Sequence, residues 1–403
     1  MKGKEQYCFG WEMKRIALIG AFDRYNYGDV FMPIVFQEIN KDKEYEYELF
    51  GTRKIDMKFC GGLPCEKLGV FYQKYNSFDA IIVVGGQCLG CGYGNAWLST
   101  MDEDFDISTC FDGDRKKISK HARKEMGGIS FAPWVIKPFS KKPIIYNTVG
   151  GNVLFADSSF GFSGNIANWK YLNKASYLAV RDSYTKKINS VVLRKMKLYP
   201  DSVTLISEII KKDNTDRVSF DIKEKMKRID NYIVFQVNEA IGGGNEQEYA
   251  KQIDSIYAKE GIKSVLLPLG NIYGHGDRKT LSKVFENVKD KEACIMFEFC
   301  TIYDVAYIIA NASCYIGSSL HGVITSISYA VPHVAVSAGA KKTIRYIETW
   351  NTSSKNNLSS NDWADEAIDF INDEHNRKAL KEVSKELIKK SYENNANIIN
   401  IIG

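Results

Sequence analysis

The chain has 403 residues, more than one hydrophobic core normally organises, which suggests two or three domains. Hydrophobic residues make up 44% and charged residues 26%, the balance of an ordinary globular protein. The net charge is only +5 and the basic residues are scattered, so no nucleic-acid-binding surface is predicted. No apolar run has the length of a bilayer span, so we expect no integral membrane protein, while peripheral contact with an anionic membrane stays open.

The nine cysteines are spread along the chain without a disulfide framework. No secretory signal is recognisable before Met13, so we expect reduced thiols and a cytoplasmic protein. Cys88 and Cys91 have the spacing of a metal-binding or redox pair, but neither a second pair nor a nearby histidine completes a site. We therefore predict no bound metal and interpret the pair as small residues in a loop.

Apolar strands, glycine turns and helices alternate through the first half of the chain. The first unit is an apolar run at 15–20, a turn at 21–29 and a helix at 30–40. Further strands are predicted at 78–86, 142–151, 177–181 and 198–205, with a helix from Ser183. Continuous apolar strands that alternate with helices indicate a parallel sheet covered by helices.

The same alternation restarts after a polar stretch at 211–230, where we place a domain boundary. Strands are predicted at 231–238, 263–269, 293–297, 314–317 and 334–337, and helices at 246–260, 278–288 and 302–310. Two more helices are predicted within 361–400, the second starting near Glu374. The predicted fold class is α/β with two Rossmann-like domains, 14–212 and 213–345, and C-terminal helices at 346–403 that cross back to the first domain. Ligands of such folds bind outside the carboxyl ends of the strands, here in a cleft between the domains.

The segment from Cys314 to Pro332 is the strongest candidate for chemistry. It combines a buried strand, a turn of small residues and the start of a helix, and helix N-termini favour anions. His321 lies at this turn, and a titratable ring beside an anion site is a catalytic candidate. Ser318 and Ser319 are expected to donate to the same anion, or else to cap the helix.

Three more side chains follow predicted strands. Arg181 is interpreted as a ligand for a carboxylate or phosphate, with an ion pair to Asp182 as the structural alternative. Asn26 and Asp29 either bond sugar hydroxyls or phosphate in the cleft, or serve a turn in which Gly28 supplies a positive φ and Asp29 caps the helix. The glycine pairs at 85–86 and 150–151 match neither a dinucleotide fingerprint nor a P-loop.

Taken in order, these motifs resemble the polysaccharide pyruvyltransferase family. The resemblance is carried by Asn26 to Asp29, the strand and glycine turn at 79–86, 179–182, Pro200 and Asp201, 316–322 with 330–332, and Ser337 to Lys341. It implies a glycosyltransferase-B-like arrangement of two Rossmann-type domains, without a metal or other cofactor. It also implies transfer of the pyruvyl group of phosphoenolpyruvate to two hydroxyls of one sugar, as a cyclic ketal with release of phosphate.

The resemblance also implies roles for particular residues, with His321 either as the general acid or as the group that protonates the leaving phosphate. Binding of phosphoenolpyruvate is assigned to Arg181, Ser318, Ser319, Gly322 and Lys341. Binding of the saccharide acceptor is assigned to Asn26, Asp29, Gly86 and Asn152. Many family members carry an arginine two residues before the histidine, while others carry a small residue, as this chain does with Ser319. Either another cation supplies that charge or the donor site differs.

The expected function is cell-surface polysaccharide synthesis, with a lipid-linked saccharide acceptor and action in the cytoplasm, at the inner face of the membrane. One alternative is a nucleotide-sugar glycosyltransferase, with Glu298 and Glu348 as candidate ribose ligands. Another is a non-catalytic saccharide-binding relative, which Ser319 favours. The long segment 89–138 is expected to shape the acceptor site or to cover the cleft. The oligomeric state is not predicted.

Overall fold

The computed structural model describes residues 13–154, 161–213, 215–336, 339–350 and 363–403. The strands of its first sheet are β1 (Lys14–Ile19), β2 (Tyr45–Gly51), β3 (Ile55–Asp56), β4 (Pro64–Lys67), β5 (Ala80–Val83), β6 (Ile144–Val149), β7 (Tyr177–Val180) and β8 (Met196–Leu198). The strands of its second sheet are β9 (Tyr232–Gln236), β10 (Lys263–Leu266), β11 (Cys294–Met296), β12 (Cys314–Gly317) and β13 (His333–Ala335).

Helices connect these strands and cover the sheets. In the first half they are α1 (Tyr27–Ile39), α2 (Leu68–Gln73), α3 (Tyr93–Leu98), α4 (Arg115–Met126), α5 (Gly161–Asn173), α6 (Ser183–Asn189) and α7 (Ile206–Ile209). In the rest of the chain they are α8 (Phe220–Met226), α9 (Glu239–Gly242), α10 (Glu246–Glu260), α11 (Asp277–Asn287), α12 (Ile302–Ala310), α13 (Leu320–Ser328), α14 (Lys341–Trp350), α15 (Trp363–Asn372) and α16 (Glu374–Ile402). None of the described helices has both the length and the apolarity needed to cross a bilayer.

The order of the strands fixes where a ligand can bind. The first sheet runs β3-β4-β2-β1-β5-β6-β7-β8, and its pairings are parallel except that of β3 with β4. The second sheet runs β11-β10-β9-β12-β13 with parallel pairings. Strand order reverses between β1 and β5 in the first sheet and between β9 and β12 in the second. In open α/β sheets, the crevice for a ligand lies at the carboxyl ends of the strands at such switch points.

The predicted elements are largely present, but several strands and helices were not predicted, among the helices α5, α8 and α14. Strands β2, β3 and β4 form one side of the first sheet and were not predicted. The run at 198–205 holds only the end of β8, which a 3-10 turn at Ser202–Leu205 follows. The segment 89–138 contains α3 and α4, which pack against each other. Ser337, the end of the predicted last strand and part of one family motif, lies outside the described residues.

The two C-terminal helices contact both halves of the molecule, since α16 also donates from Ser384 Oγ to the Ser328 carbonyl of α13 at 2.9 Å. Trp363 at the start of α15 stacks on Phe235 of the second sheet, with ring centroids 5.2 Å apart. In α16, Asn394 accepts a hydrogen bond from Tyr177 of the first sheet at 2.9 Å and donates one to Asn147 at 2.7 Å. The last helix therefore packs against the first sheet. The limits of the domains, at 212–213 and 345–346, stay predictions.

Candidate active site

A cavity of about 400 Å³ lies where the switch points of the two sheets face each other, and we call it the central cavity. The first half of the chain lines it with Asn26, Asp29, Gln87 and Arg181. The second half lines it with Gln236, His275, Asp277, Ser318, Ser319, His321, Lys341 and Lys342, among others. A side cavity of about 420 Å³ adjoins it and shares Asn26, Asp29, Gln87, His275 and Lys342. Two adjoining cavities can accommodate two ligands, one on each side of a shared wall.

His321 lies in the first turn of α13, where the side chain of Ser319 caps the helix by accepting from the Gly322 N–H at 3.4 Å. The imidazole is only 8% exposed. Its Nε2 atom lies 3.7 Å from Oδ2 of Asp201, and no described residue forms a hydrogen bond with Nε2. Catalytic hydrogen bonds are often long before substrate binds, so this contact is suited to tighten on ligand binding.

Asp201 links His321 to Arg181. Its fully buried carboxylate accepts from Nη1 of Arg181 at 3.0 Å and from the Val203 N–H at 3.1 Å. Burial would raise the pKa of Asp201, but the His321 ring and then the Arg181 guanidinium outweigh burial and lower the pKa to about 2. The partner of Arg181 is thus Asp201, while Asp182 caps α6 by accepting from the Thr185 N–H at 2.6 Å. The structural alternative of an Arg181–Asp182 ion pair is wrong.

Gly28 packs directly against the ring of His321. A Cβ atom at this position would lie 1.9 Å from Cγ and 2.0 Å from Nδ1 of His321. Gly28 belongs to the first turn of α1 without a positive φ, and the residue at the N-cap is Asn26 rather than Asp29. The structural interpretation of this turn is therefore wrong, because the glycine is required by the close approach of the His321 ring.

The backbone amides at the start of α13 are partly occupied by a side chain of the neighbouring strand. Oε1 of Gln236 accepts from the N–H groups of Ser318 at 3.1 Å and Ser319 at 2.9 Å. Nε2 of Gln236 donates to Asp277 Oδ2 at 2.7 Å. Asp277 Oδ2 also accepts from the N–H groups of Leu269 and Gly270. A chain of buried hydrogen bonds thus fixes the turn before His321, and it uses donors that the sequence had suggested for an anion.

Burial raises the pKa of Asp277 from 3.8 to about 7, although its hydrogen bonds act in the opposite direction. A carboxyl whose pKa is raised on folding keeps a proton that the unfolded chain has lost. Its contribution to stability therefore falls as the pH rises from about 4 to about 7.

Asp277→Asn is expected to remove this titration while its amide oxygen still accepts from the same donors. The variant's free energy of unfolding, relative to that of the parent, should increase between about pH 4 and pH 7 and then level off. The increase should reach at most about 4 kcal/mol, since one pKa unit corresponds to about 1.4 kcal/mol. Urea unfolding of both proteins across this range measures the difference, and a difference that does not vary with pH would contradict the raised pKa.

The other residues assigned from the sequence take different positions. Asn26, Asp29 and Lys341 line the central cavity, and Asn152 lines the side cavity. Gly86 adopts a φ of +82°, and a Cβ there would lie 3.4 Å from Asp29 Oδ1. Gly322 is not among the residues that line either cavity. It packs on Tyr315, whose hydroxyl would lie 2.1 Å from an added Cβ.

Among the cavity residues that were not assigned from the sequence, two basic ones line both cavities. His275 follows β10 and faces both cavities; burial, and then the charge of Lys342, lower its pKa to about 4. Lys342, adjacent to the predicted Lys341, lines both cavities. Loss of solvent, followed by the charge of Arg181, lowers the pKa of Lys342. The position of His275 at the carboxyl end of a strand was the available signal, whereas no sequence signal distinguished Lys342 from Lys341.

The remaining candidates lie at the edge of the site. Cys88 and Cys91 belong to the loop that lines the side cavity, and the Cys88 thiol donates to the Gly85 carbonyl at 2.8 Å. In the described parts of the chain, no group of three or more His, Cys, Asp or Glu side chains is arranged to hold a metal. Glu103, from the segment 89–138, pairs with Arg278 of the second half at 2.7 Å. That segment therefore reaches across to the second half.

Comparisons with solved structures identify the arrangement of the two halves. MnaA of S. aureus, solved with UDP, matches with a TM-score of 0.57 and 12% identity over 97% of this chain and 96% of that chain. UDP-GlcNAc 2-epimerase of Neisseria meningitidis, bound to UDP-GlcNAc, matches with a TM-score of 0.56 and 11% identity over 97% of this chain and 99% of that chain. UDP-GlcNAc 2-epimerase of Methanocaldococcus jannaschii, in complex with UDP-GlcNAc and UDP, matches with a TM-score of 0.53 and 11% identity over 93% of this chain and 99% of that chain. At these identities the likeness shows the fold alone, and it confirms the α/β, glycosyltransferase-B-like arrangement.

Sequence comparison addresses the family. A search of curated protein sequences returned no match. A family model described as polysaccharide pyruvyl transferase matches residues 26–339. The match begins at Asn26 and includes Arg181, Asp201 and His321, which the structure gathers around one cavity. The chain therefore belongs to the polysaccharide pyruvyl transferase family, a family of transferases that implies a saccharide acceptor.

Proposed function

We propose that this protein transfers the pyruvyl group of phosphoenolpyruvate to two hydroxyls of one saccharide residue, forming a cyclic ketal and releasing phosphate. We further propose that the acceptor is a lipid-linked saccharide, modified at the cytoplasmic face of the membrane during synthesis of a capsule or exopolysaccharide. One observation carries the proposal. His321, buried in the central cavity and directed at the Asp201 carboxylate, is a histidine with its orienting acid in place.

The donor carries a phosphate and a carboxylate, and the central cavity supplies donors for both. Arg181 uses one N–H group for Asp201 and another for Gln87 at 3.1 Å. A guanidinium has five N–H groups, so further donors stay available for a ligand. In this proposal Arg181, the hydroxyl of Ser319 and Lys341 at the start of α14 bind phosphoenolpyruvate, because Gln236 already accepts from the N–H groups of Ser318 and Ser319.

The acceptor occupies the side cavity in this proposal. Asn26 and Asp29 line both cavities, so they can hold a sugar hydroxyl against the bound donor. Asn152 and Trp134 line the side cavity but not the central cavity. An amide and an aromatic ring are groups that bind the polar edge and the apolar face of a sugar.

The reaction balances without a cofactor. Carbon 3 of the donor gains a proton, and each of two sugar hydroxyls forms a bond to carbon 2 and loses a proton. One of these protons replaces the one delivered to carbon 3, and the other leaves with phosphate as the bond from carbon 2 to the phosphate oxygen breaks. Because Nε2 of His321 faces Asp201, Nδ1 is the ring atom proposed to protonate carbon 3. Asp29 is proposed to accept the proton of the attacking hydroxyl.

Gly28→Ala is expected to lower phosphate release by about 100-fold, because displacing a catalytic group by about 1 Å can have an effect of that size. The added methyl group would overlap the His321 ring, with its carbon 1.9 Å from Cγ. Gly94→Ala is the matched control, since Gly94 also lies in a helix and its nearest contact would be an ordinary 3.4 Å. Equal activity of the two variants would contradict the placement of His321 against Gly28.

A nucleotide-sugar glycosyltransferase is the second candidate, favoured by the UDP-bound structures that share the fold. Glu298 and Glu348, the ribose ligands suggested from the sequence, are exposed and line neither cavity. We therefore expect phosphoenolpyruvate to raise the melting temperature and UDP-sugars to leave it unchanged. Stabilisation by a UDP-sugar but not by phosphoenolpyruvate would favour the second candidate.

A further inference from the structure

The central cavity lacks an unpaired cation among the charges of its Arg181–Asp201 pair. Arg181 is only 3% exposed and pairs with the fully buried Asp201, so these two charges largely cancel. Ser319 is neutral, and its hydroxyl oxygen caps α13. A donor with two anionic groups therefore requires positive charge from another residue.

Lys342 lies where this charge is needed. The hydroxyl of Thr343, the next residue, donates to the carbonyl of Ser318 at 2.9 Å, which fixes the first turn of α14 beside the turn before His321. Lys342 lines the central cavity together with Ser319 and Arg181. It also lines the side cavity and a smaller cavity of about 130 Å³. Lys341 lines only the first of these three.

The ammonium of Lys342 is not neutralised by a nearby acid. Among the described residues, no carboxylate lies within ion-pair distance of it, although Asp29 contributes a weaker attraction. Although part of its side chain is exposed, its pKa is lowered by loss of solvent and then by the charge of Arg181. An anion between Lys342 and Arg181 would relieve this repulsion.

We propose that Lys342 binds the phosphate of phosphoenolpyruvate and supplies the positive charge that the paired Arg181 and Asp201 do not provide. This inference rests on the proposed function. It distinguishes Lys342 from Lys341, the lysine of the sequence motif, which lines the central cavity but neither of the other two.

The test is calorimetric titration of the full-length protein with phosphoenolpyruvate, without acceptor. Lys342→Met is expected to raise the dissociation constant by about 10- to 100-fold, the usual effect of removing a hydrogen bond to a charged group. Lys342→Arg should retain most of the affinity, and Ser319→Arg should restore affinity when combined with Lys342→Met. In steady-state assays, Lys342→Met should raise the KM for phosphoenolpyruvate and leave the KM for the saccharide unchanged.

Two variants serve as comparisons. Lys378→Met removes an exposed lysine of α16 and should bind like the parent. Lys341→Met should raise the dissociation constant less than Lys342→Met does. Wild-type affinity of Lys342→Met, or no rescue by Ser319→Arg, would overturn the inference and leave the proposed function standing. Failure of the parent protein to bind phosphoenolpyruvate would overturn both.

Discussion

His321→Ala is expected to lower phosphoenolpyruvate-dependent phosphate release by about 100- to 10,000-fold, the range for loss of a general acid or base. The ring lies 3.7 Å from the Asp201 carboxylate and packs against Gly28. Because its removal leaves a cavity beside Gly28, urea unfolding of the variant is measured as well, to establish that it is folded. Phosphate release at saturating donor and acceptor measures the effect.

His375→Ala is the control for this variant, because His375 is exposed on α16 and far along the chain from the cavity residues. The proposed role of His321 also predicts that binding of the donor is retained. His321→Ala should still bind phosphoenolpyruvate, since Arg181 and Lys342 stay in place. Turnover close to that of His375→Ala would overturn the assignment of His321 as the catalytic acid.

Asp201→Ala is expected to lower the free energy of unfolding by about 3–5 kcal/mol and to reduce activity as well. It removes the fully buried partner of Arg181, and a buried charge left without its partner is strongly destabilising. Asp201→Asn should destabilise less, since its amide oxygen still accepts from the guanidinium. Urea unfolding measures the stability, and phosphate release under native conditions measures the activity.

Asp182→Ala provides the comparison. Asp182 is the N-cap of α6, and its replacement should lower the free energy of unfolding by only about 1 kcal/mol. A second comparison is the double variant Arg181→Met with Asp201→Ala. It should recover part of the lost stability, because no unpaired charge stays buried. If Asp201→Ala destabilises no more than Asp182→Ala, the Arg181–Asp201 pair is not the buried ion pair described here.

Much of the fold follows from the sequence because its central strands are buried on both faces. Helices at 246–260 and 302–310 and the strand at 314–317 have the limits that the sequence predicts. Strand β2 was missed because it lacks this signal. Its first residues are partly exposed and include Glu46 and Glu48, so it has no continuous apolar run.

The sequence predicted where the candidate site lies but not which residues contact each other within it. The position of His321 at the start of a helix after a buried strand located the cleft. Its partner Asp201 is 120 residues away along the chain, and only the packing of the two halves brings them within 3.7 Å. Similarly, Gly28 suggested a turn conformation, whereas the structure requires it for contact with a side chain from the other half.

The lysines of α14 illustrate a limit of motif matching. Neighbouring residues of a helix point about 100° apart, because a turn contains about 3.6 residues. Which of Lys341 and Lys342 reaches all three cavities therefore depends on where the helix starts and how it packs. Both are set by the contact of Thr343 with Ser318, which the sequence does not reveal.

The most direct test of the central claim is product analysis by nuclear magnetic resonance, with phosphoenolpyruvate and a panel of saccharide acceptors that includes lipid-linked ones. If the protein is a ketal pyruvyltransferase, phosphate and a new methyl signal from a ketal on the acceptor appear in equal amounts, and His321→Ala gives neither. Phosphate release without a ketal, or transfer of a sugar from a nucleotide donor in its place, would contradict that claim.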